Sequence, residues 1–456
     1  MKNILTIILA AGKGSRMNSQ LPKVLHKLAD KPLLHHVYDR CAELENNSVT
    51  IVYGHGGELV KASLSHLKVN WLEQKQQLGT GHAVLQAYEL IDNDDTVLIL
   101  YGDVPLLSQS SIACLLAKVN EKTVSLLTVT LDKPFGYGRI IRNQQGQVIK
   151  IVEEKDASSE EKAVHEVNTG IVAVHGKCLK KWLTQLSTNN AQHEYYLTDI
   201  FAMAVQDDCL IEVSQPEYVE EVLGVNDRLQ LSELERFYQL NQAKILMKSG
   251  VTLKDPQRFD LRGVINSLGT DIEIDVNVVL SGQLSIGNNV SIGANTLISN
   301  SVIGDDVQIL PNCIIENAVI GNSSRIGPFA RIRPDTVLSD HVHIGNFVEI
   351  KKTTVGESSK INHLSYIGDA KVGAGVNIGA GTITCNYDGV NKFETIIGDG
   401  AFIGSDTQLI APVKVGANAT IGAGSTITKD TPEQQLTLSR SKQVSVVSWQ
   451  RPIKKT

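Results

Sequence analysis

Residues 285–293, Ser-Ile-Gly-Asn-Asn-Val-Ser-Ile-Gly, decide the fold of the second half of the chain. An aliphatic residue followed by glycine returns after six residues, and such pairs recur as far as Ile421-Gly422. The pairs begin at 286, 292, 303, 320, 326, 344, 355, 367, 372, 378, 397, 403, 415 and 421. A period of about six residues predicts a parallel β-helix, with one short strand per hexapeptide and three strands per coil. Aliphatic side chains point inward, and the small residues permit the corners.

A β-sandwich with frequent turns is the alternative, but it predicts no fixed six-residue step. In hexapeptide β-helices the coil is left-handed, against the usual crossover rule. We therefore expect residues 251–456 to form a left-handed parallel β-helix of hexapeptide repeats.

The first half of the chain alternates apolar runs with amphipathic segments. The strand-like runs are Ile4–Ala10, Ser48–Tyr53, Thr96–Tyr101, Val124–Thr130 and Gly170–Val174. This alternation predicts a Rossmann-like α/β domain over residues 1–226, with ligands at the carboxyl ends of its strands. Residues 227–250 follow helical spacing and end at Gly250, which predicts a linker helix of ~33 Å.

The composition excludes several classes of protein. A length of 456 residues indicates more than one domain. The net charge of −6 gives no electrostatic reason to expect a nucleic-acid partner. No apolar stretch approaches the ~18–20 residues of a membrane span, and the first apolar run is too short for a signal peptide. The six cysteines lack ligand spacing. We expect a cytoplasmic protein with reduced thiols and no membrane partner.

A glycine-rich loop follows the first strand-like run directly, in the string Leu9-Ala10-Ala11-Gly12-Lys13-Gly14-Ser15-Arg16-Met17. Its glycines let the backbone close on a phosphate. Met17 stands where a dinucleotide fingerprint needs a third glycine, and the chain has no Walker A string. Arg16 and Lys23 add cations that suit phosphates. An ordinary tight turn is the alternative.

Tyr101-Gly102-Asp103 ends a run of aliphatic residues. A carboxylate at the end of a buried strand is costly unless it is paired or binds a metal. Mg²⁺ shared with substrate phosphates is the natural partner, because Mg²⁺ takes one or two protein oxygens and leaves the rest to phosphate and water. Asn226, just before the linker, is the second candidate ligand. Capping of the following helix is the alternative role for Asn226.

These strings resemble the signature of sugar-phosphate nucleotidyltransferases. Gln74, Leu78-Gly79-Thr80, Gly136–Arg139, Val152-Glu153 and Asn168–Gly170 are similar to bacterial N-acetylglucosamine-1-phosphate uridyltransferases. The resemblance implies that Gln74, Gly79 and Thr80 recognise uracil, and that Gly138, Glu153 and Asn168 hold the N-acetylhexosamine. It implies catalytic roles for Arg16 and Lys23, and Mg²⁺ on Asp103 and Asn226. The implied nucleotide and sugar site comprises Leu9, Ala10, Ala11, Gly12, Lys23, Gln74, Gly79, Thr80, Tyr101, Gly102, Asp103, Gly138, Glu153, Asn168 and Asn226. Leu223 stands where that family often has glutamate.

The hexapeptide repeat is broken twice, by a polar tract between 327 and 366 and by an insertion at Thr384–Lys392. Insertions in repeat proteins commonly form the binding face. His363 is the candidate general base, since a histidine can accept a proton near neutral pH. Glu349, fourteen residues earlier, could orient its ring. The alternatives are a surface or interface histidine, and a zinc site with His341 and His343.

The strings Arg331–Pro334, Gly345–Lys352, Asn362–Asp369 and Asn377–Gly389 resemble bacterial glucosamine-1-phosphate N-acetyltransferases. The resemblance implies that Arg333, Lys351, Tyr366 and Asn377 bind glucosamine-1-phosphate and that His363 deprotonates its amine. It implies an acetyl-CoA channel formed by Ala380, Asn386, Tyr387, Ser405, Ala423 and Arg440. The basic C-terminal end would suit the cofactor's phosphates, with a solvated tail as the alternative; its cations are Arg440, Lys442, Arg451, Lys454 and Lys455.

Together the two resemblances cover nearly the whole chain, which is identified as a member of the bifunctional enzymes of UDP-N-acetylglucosamine synthesis. The family implies acetyl transfer from acetyl-CoA to glucosamine-1-phosphate, followed by uridylyl transfer from UTP to N-acetylglucosamine-1-phosphate. It also implies a homotrimer formed through the β-helix, with acetyl-transfer sites between subunits. Two alternatives are a monofunctional nucleotidyltransferase with a structural or regulatory β-helix, and a pair of non-enzymatic binding modules.

Overall fold

A computed structural model describes residues 3–452 and 454. The chain divides into two compact units, Met1–Tyr238 and Gln239–Thr456, and the division falls within the helix Arg228–Lys248. Within the described residues, no helix is both long and apolar enough to cross a membrane.

Within the described residues, the first unit contains a nine-stranded mixed sheet and a separate two-stranded one. Its strands are β1 Ile4–Ala10, β2 Lys27–Leu28, β3 Lys31–Pro32, β4 Asn47–Tyr53, β5 Asn70–Glu73, β6 Thr96–Tyr101, β7 Thr123–Thr130, β8 Arg139–Arg142, β9 Val148–Val152, β10 Glu166–His175 and β11 Leu210–Ser214. The order across the sheet is β11-β7-β10-β6-β1-β4-β5, with β8 and β9 paired beside β10. Strand β10 runs antiparallel to both β6 and β7. The five strand-like runs of the sequence are all strands, so this part of the prediction is confirmed.

The helices of the chain are α1 Leu33–Ala42, α2 Gly57–Ser63, α3 Thr80–Leu85, α4 Gln109–Lys118, α5 Ser159–Lys162, α6 Gly176–Leu183, α7 Asp199–Gln206 and α8 Arg228–Lys248. Two apolar clusters form the main core of the first unit, and alternate side chains of β1 supply both: Ile7 belongs to one cluster and Ile8 to the other. Because successive side chains of a strand point to opposite faces, the sheet is covered on both sides.

The parallel pairing of β1 with β6 positions the first site. Leu9 lies opposite Tyr101 in the register, so the two strands end at the same edge. The glycine-rich loop therefore leaves the sheet next to the segment that contains Asp103. The backbone N–H of Gly102 donates to the carbonyl oxygen of Leu9 over 2.9 Å, which fixes this neighbourhood.

The second unit is a parallel β-helix. Its strands are β12 Thr252–Leu253, β13 Phe259–Leu268, β14 Glu273–Ile274, β15 Val278–Ile286, β16 Ser291–Ile292, β17 Leu297–Ser299, β18 Val302–Ile303, β19 Gln308–Ile309, β20 Ile314–Glu316, β21 Ala318–Ile320, β22 Arg325–Ile326, β23 Arg331–Ile332, β24 Thr336–Leu338, β25 His343–Asn346, β26 Glu349–Val355, β27 Lys360–His363, β28 Tyr366–Val372, β29 Asn377–Ile378, β30 Ile383–Cys385, β31 Thr395–Ile397, β32 Phe402–Ile403, β33 Gln408–Ile410, β34 Val413–Val415, β35 Thr420–Ile421, β36 Thr426–Ile427 and β37 Leu436–Thr437.

Aliphatic side chains stack from coil to coil along each face of the β-helix. On one face the strands pair in register through Ile292, Ile309, Ile326, Ile344, Ile361, Ile378, Ile403 and Ile421. These isoleucines are at most 3% exposed, so they form one continuous core. The steps are 17 or 18 residues, except for the 25 residues from Ile378 to Ile403. The longer step contains the predicted insertion Thr384–Lys392, and the hexapeptide prediction is confirmed.

Polar side chains at the corners join one coil to the next. The side-chain oxygen of Asn288 accepts the backbone N–H of Thr270 over 3.0 Å, and Asp305 does the same for Asn288 over 2.6 Å. Asn322 accepts from Asp305 over 2.8 Å, and Asp340 accepts from Asn322 over 2.7 Å. The coils between Thr270 and Asp340 are thus hydrogen-bonded to one another at the corner as well as along the strands.

Candidate functional site

A cavity of about 310 Å³ opens at the carboxyl ends of β1 and β6. Ten of its lining residues are ones that the sequence motifs implicated: Leu9, Ala10, Ala11, Gly12, Lys23, Gln74, Gly79, Thr80, Tyr101 and Asp103. The motifs did not indicate Val24, Gln77, Ala83 and Glu194, which also line it. Residues separated by almost two hundred positions therefore form one concave surface.

Gly79 shapes the wall of this cavity opposite the glycine-rich loop. Its φ is +109°, a conformation that L side chains rarely adopt, and a Cβ there would lie 2.6 Å from the carbonyl oxygen of Tyr195. The chain is held in this close approach because the N–H of Tyr195 donates to the carbonyl of Leu78 over 2.8 Å. Only glycine fits here, which explains its place before the helix α3.

Asp103 and Asn226 lie together on the floor of the site. The Lys23 ammonium pairs with the Asp103 carboxylate and also donates to the Asn226 side-chain oxygen over 3.3 Å. Arg16 donates to the same Asn226 oxygen over 3.4 Å. The backbone N–H of Val225 donates to the Asp103 carbonyl over 2.9 Å. The structure thus brings together the four side chains that the sequence singled out for phosphate and metal binding.

A second group of implicated residues lies where β8, β9 and β10 meet. The backbone N–H of Asn168 donates to the Gly138 carbonyl over 2.9 Å. A Cβ on Gly138 would lie 3.5 Å from both carboxylate oxygens of Glu153. The Thr198 hydroxyl donates to one of these oxygens over 2.9 Å. Gly138, Glu153 and Asn168 are therefore neighbours, although Gly138 precedes β8, Glu153 follows β9 and Asn168 lies in β10.

The electrostatics of this group differ from those of an exposed surface. Burial raises the pKa of Glu153, and the nearby carboxylates of Asp156, Asp199 and Glu194 raise it further. Burial also raises the pKa of Tyr101, next to Glu153 and Asp103. Tyr101 packs against the backbone of Gly170, where a Cβ would lie 2.4 Å from its ring. Tyr101 thus borders both the cavity and the Glu153 group.

A second cavity of about 260 Å³ adjoins the first, sharing Tyr101 and Asp103 with it. Arg16 and Asn226 line it, together with Phe135, Gly136 and Tyr137 of the segment between β7 and β8. Gly102 is among the lining residues of neither cavity. It is buried, and a Cβ there would meet Leu34 and Ala10 within 3.3 Å, so its local role is close packing.

Leu223, the departure from the family pattern, packs with an apolar cluster that includes Val225 and Leu234. Gln230 is the polar residue that supports the Asn226 backbone. The N–H of Asn226 donates to the side-chain oxygen of Gln230 over 2.8 Å. The apolar packing of Leu223 and the hydrogen bond from Asn226 to Gln230 therefore both help to hold the segment before helix α8.

In the β-helix, His363 is exposed at the end of β27 and hydrogen-bonds to Asn346 of the previous coil. The distance from its Nδ1 to the Asn346 Oδ1 is 3.0 Å, and the two residues are register partners. Because a side-chain carbonyl oxygen only accepts, Nδ1 bears the proton and Nε2 is left as the acceptor.

The expected contact between Glu349 and His363 was wrong. Glu349 lies on β26, on another face, where Arg333 donates to its carboxylate over 2.8 Å. The physical reason is the length of a coil. Seventeen residues separate Asn346 from His363 and return the chain to the same face, whereas the fourteen residues from Glu349 do not.

Three small residues continue the column of His363 along later coils. The carbonyl of His363 accepts from Gly381, that of Ala380 from Asp406, and that of Ser405 from Gly424. Ala380, Ser405 and Ala423 therefore hold equivalent positions on successive coils. The Arg440 guanidinium donates to the Ala423 carbonyl over 2.9 Å. This small-residue column, defined as Ala380, Ser405 and Ala423, leads from His363 towards a cation.

Of the other implicated residues, Lys351 and Asn386 contact a second polar group at Asp369. Asp369 is buried, lies 3.4 Å from the Lys351 ammonium and accepts from Asn386 over 2.5 Å. Tyr366 is the register partner of Glu349, and Asn377 is the register partner of Lys360. Tyr387 is exposed on the insertion, with its hydroxyl 2.5 Å from the Gly389 carbonyl. The structure shows no contact that joins Asn377 or Tyr387 to His363.

Two remaining features of the sequence concern metals and the C-terminal end. Within the described part of the chain, no group of three or more His, Cys, Asp or Glu side chains could hold a metal ion, so His341, His343 and His363 form no such cluster. Arg451 and Lys454 are exposed, while Lys455 lies outside the described residues.

The sheet, the glycine-rich cavity and the hexapeptide coils define the chain as a nucleotidyltransferase joined to a β-helical transferase. Residues 6–182 match the MobA-like NTP transferase domain, residues 267–363 the GMPPB C-terminal domain, and residues 394–429 the bacterial transferase hexapeptide of six repeats. The chain belongs to the family of bifunctional GlmU proteins. The GlmU protein of Methylococcus capsulatus is 61% identical over 451 residues, which cover 99% of this chain and 98% of the relative.

A second relative is also similar to this chain over its full length. The bifunctional protein GlmU of Marinobacter nauticus is 54% identical over 454 residues, covering 100% of both chains. A solved nucleotidyl transferase from Methanothermobacter is 16% identical, with a TM-score of 0.39, and covers 52% of this chain and 98% of its own. Family membership confirms the two activities expected from the motifs, a uridyltransferase and an acetyltransferase in one chain.

Proposed function

We propose that residues 251–456 transfer acetyl from acetyl-CoA to glucosamine-1-phosphate, and that residues 1–226 then transfer uridylyl from UTP to the N-acetylglucosamine-1-phosphate. The observation that supports this best is the convergence of Asp103, Asn226, Lys23 and Arg16 beside the 310 Å³ cavity. The second unit adds an exposed histidine with a defined free nitrogen.

The cavity suits a nucleotide. Gln74, Gly79 and Thr80 line it and would bind uracil, and Gly12 and Lys23 also line it and would bind the phosphates. Gly138, Glu153 and Asn168 would hold the N-acetylhexosamine beyond Tyr101. The carboxylate and the amide are groups that suit sugar hydroxyls and an N-acetyl group.

Asp103 and Asn226 fit Mg²⁺. One ammonium, that of Lys23, contacts oxygens of both side chains, so the two oxygens face a common point that favours positive charge. A carboxylate and an amide carbonyl are hard oxygen ligands of the kind that Mg²⁺ takes alongside phosphate and water. When bound there, Mg²⁺ would neutralise phosphate charge.

The uridylyl transfer requires positioning more than a protein nucleophile. An oxygen of the sugar phosphate attacks the α-phosphorus of UTP, a new P–O bond forms, and pyrophosphate leaves. Lys23 and Arg16 would stabilise the charge on the phosphates, and the Gly12 loop would hold them close to the strand end. Exclusion of water from the cavity would favour the sugar phosphate as nucleophile.

The acetyl transfer requires a base. The amine of glucosamine-1-phosphate attacks the thioester carbonyl, an amide bond forms, and the CoA thiol leaves. His363 would take the amine proton at Nε2, because its Nδ1–H is held by Asn346. Arg333, Lys351, Tyr366 and Asn377 would bind the sugar phosphate, the first two through charge.

The small-residue column suits the arm of acetyl-CoA. Ala380, Ser405 and Ala423 leave little side-chain bulk along the corner that leads to His363, and Arg440 at its end would contact a phosphate. Asn386 and Tyr387 on the insertion would complete the channel.

We also propose a homotrimer through the β-helix. Phe329 and Phe347 stack with ring centroids 5.3 Å apart, and both are half-exposed at one corner. Leu364, next to His363, continues this apolar corner and is 63% exposed. Neighbouring subunits would cover it and complete the acetyl-transfer site. Light scattering should give three chains, and Phe329→Ser with Phe347→Ser should lower that mass. We place the enzyme in the cytoplasm, with its metabolite substrates.

The decisive experiment measures thiol release and pyrophosphate release on one purified sample supplied with glucosamine-1-phosphate, acetyl-CoA, UTP and Mg²⁺. We expect both products, and UDP-N-acetylglucosamine. Pyrophosphate release from supplied N-acetylglucosamine-1-phosphate without any thiol release from glucosamine-1-phosphate would favour a β-helix that only assembles or regulates.

A further inference from the structure

The side chain of Gln74 is held by its amide nitrogen. Gln74 is 3% exposed and lines the nucleotide cavity. Its Nε2 donates to the Gly79 carbonyl over 3.1 Å and lies 3.0 Å from the Nδ1 of His82. Its backbone is fixed too, since its N–H donates to the Tyr53 carbonyl over 2.7 Å.

These contacts determine which way the amide faces. A backbone carbonyl only accepts hydrogen bonds, so the Gln74 atom next to Gly79 must be nitrogen. Both hydrogens of that nitrogen then have partners, one at Gly79 and one at His82. The Oε1 atom is left as the side chain's free group, and it can only accept.

His82 must therefore accept at Nδ1, with its proton on Nε2. Nε2 lies 3.2 Å from the amide nitrogen of Gln86. A neutral imidazole has one acceptor nitrogen, so it cannot accept from both amides. The Gln86 amide nitrogen already donates to the backbone carbonyl of His82 over 2.9 Å, so it needs no acceptor on the ring, whereas the second hydrogen of the Gln74 amide is directed at Nδ1. The ring of His82 is further held by stacking on Tyr195, with centroids 6.1 Å apart.

We propose that His82 is a positioning residue that determines the choice of nucleobase by holding Gln74 with Oε1 towards the base. The inference rests on the proposed function, in which Gln74 binds uracil. Uracil presents an N3–H donor, which Oε1 can accept, whereas cytosine presents an acceptor at N3. Reversal of the amide would turn NH₂ towards the base and remove the discrimination, because a mismatched base leaves a buried polar group unpaired.

The test separates the acceptor of His82 from its ring. His82→Phe keeps a ring that can stack on Tyr195 and removes the acceptor. His82→Asn removes the ring and keeps an acceptor close to the place of Nδ1. Gln86→Ala removes the other neighbour of the imidazole and serves as the matched control. Pyrophosphate release gives kcat/KM for UTP and for CTP in each variant.

We expect His82→Phe to lower the UTP-to-CTP ratio of kcat/KM by about 10-fold, the loss that corresponds to one hydrogen bond. His82→Asn and Gln86→Ala should keep the ratio near that of the unmodified enzyme. An unchanged ratio in folded, active His82→Phe would overturn the proposal, and so would an equal fall in His82→Asn.

Failure of the proposed function would look different, because the unmodified enzyme would then not release pyrophosphate from UTP. Thermal unfolding reports whether each variant is folded. If His82→Phe does not fold, His82→Leu removes the acceptor with a smaller side chain, and the same ratio decides.

Discussion

The backbone N–H of Val225 donates to the carbonyl oxygen of Asp103 over 2.9 Å, although 122 positions separate them. This bond places Asn226 beside the Asp103 carboxylate. The bond thus joins two segments that are distant in the sequence, and the first prediction concerns the carboxylate that it positions.

Asp103→Asn should remove uridylyl transfer and spare acetyl transfer. The substitution keeps the shape of the side chain but removes its charge, so the rate should fall about 100-fold or more, as when an electrostatic partner of the transition state is lost. Pyrophosphate release measures the first activity and thiol release the second. Asp94→Asn, an exposed change, is the control. Equal loss of both activities would contradict independent sites.

His363→Ala should remove acetyl transfer and spare uridylyl transfer. Asn346→Ala should slow acetyl transfer although His363 itself is unchanged. Loss of the hydrogen bond that orients the ring should lower the rate of acetyl transfer about 10-fold. Asn346→Asp should restore much of the rate, because a carboxylate also accepts from Nδ1–H. Thiol release measures acetyl transfer in each variant, and Lys414→Ala on another segment is the control. Full activity of Asn346→Ala would show that the ring needs no such support.

Glu153→Gln should stabilise the first unit at neutral pH and weaken sugar binding. Burial raises the pKa of Glu153 in the folded state, so folding favours its protonated form. Ionisation of Glu153 therefore lowers the free energy of unfolding. This loss is absent below the ordinary pKa of 4.5 and complete above the raised pKa of the folded state. We expect Glu153→Gln to be more stable than the unmodified enzyme at pH 8, with a higher KM for the sugar phosphate.

Thermal unfolding at pH 5 and pH 8 checks the Glu153 prediction, with the exposed Glu160→Gln as control. A gain that does not grow with pH would contradict it.

His36 should make the first unit sensitive to acid. Burial lowers the pKa of His36 from 6.5 to about 4. A depressed histidine contributes stability above its unfolded pKa and loses it as pH falls, here from 6.5 towards 4. The loss amounts to at most about 3 kcal/mol. Its ring N–H donates to the Leu28 carbonyl over 2.8 Å.

His36→Gln does not titrate and should flatten the dependence of the unfolding midpoint on pH between 6.5 and 4. The exposed His193→Gln should leave the slope as it is. An unchanged slope in His36→Gln would mean that other groups cause the acid sensitivity.

Ile361→Ala should destabilise the β-helix by about 2–4 kcal/mol, because it opens a cavity between Ile344 and Ile378. Urea unfolding measures the change, and the exposed neighbour Lys360→Ala is the control. A loss below about 1 kcal/mol would mean that adjacent coils collapse into the space.

Much of the fold could be predicted from the sequence. The Ile-Gly period of residues 285–293 and its repeats predicted the β-helix, because an inward side chain must recur once per strand. The longer step at Thr384–Lys392 predicted the insertion. The ends of the strands at Ala10 and Tyr101 predicted where ligand-binding residues would meet, since parallel strands end at one edge.

Two parts of the sites could not be predicted, and both depend on chain geometry that has no local signal. Glu194 lines the nucleotide cavity only because Tyr195 is hydrogen-bonded to Leu78. Asn346 rather than Glu349 contacts His363, because the length of one coil in this segment is seventeen residues. A period of six fixes the core face but does not say which polar residues coincide at a corner.

The corner ladder of Asn288, Asp305, Asn322 and Asp340 has a further consequence. Each of these residues bonds only to an adjacent coil, so no coil depends on a distant one. The β-helix can then be lengthened or shortened by whole coils during evolution, while the remaining coils keep their structure. A gene duplication of one coil would extend the molecule without changing the other coils, whereas several extra residues within one coil would protrude as a loop, as they do in the 25-residue step from Ile378 to Ile403.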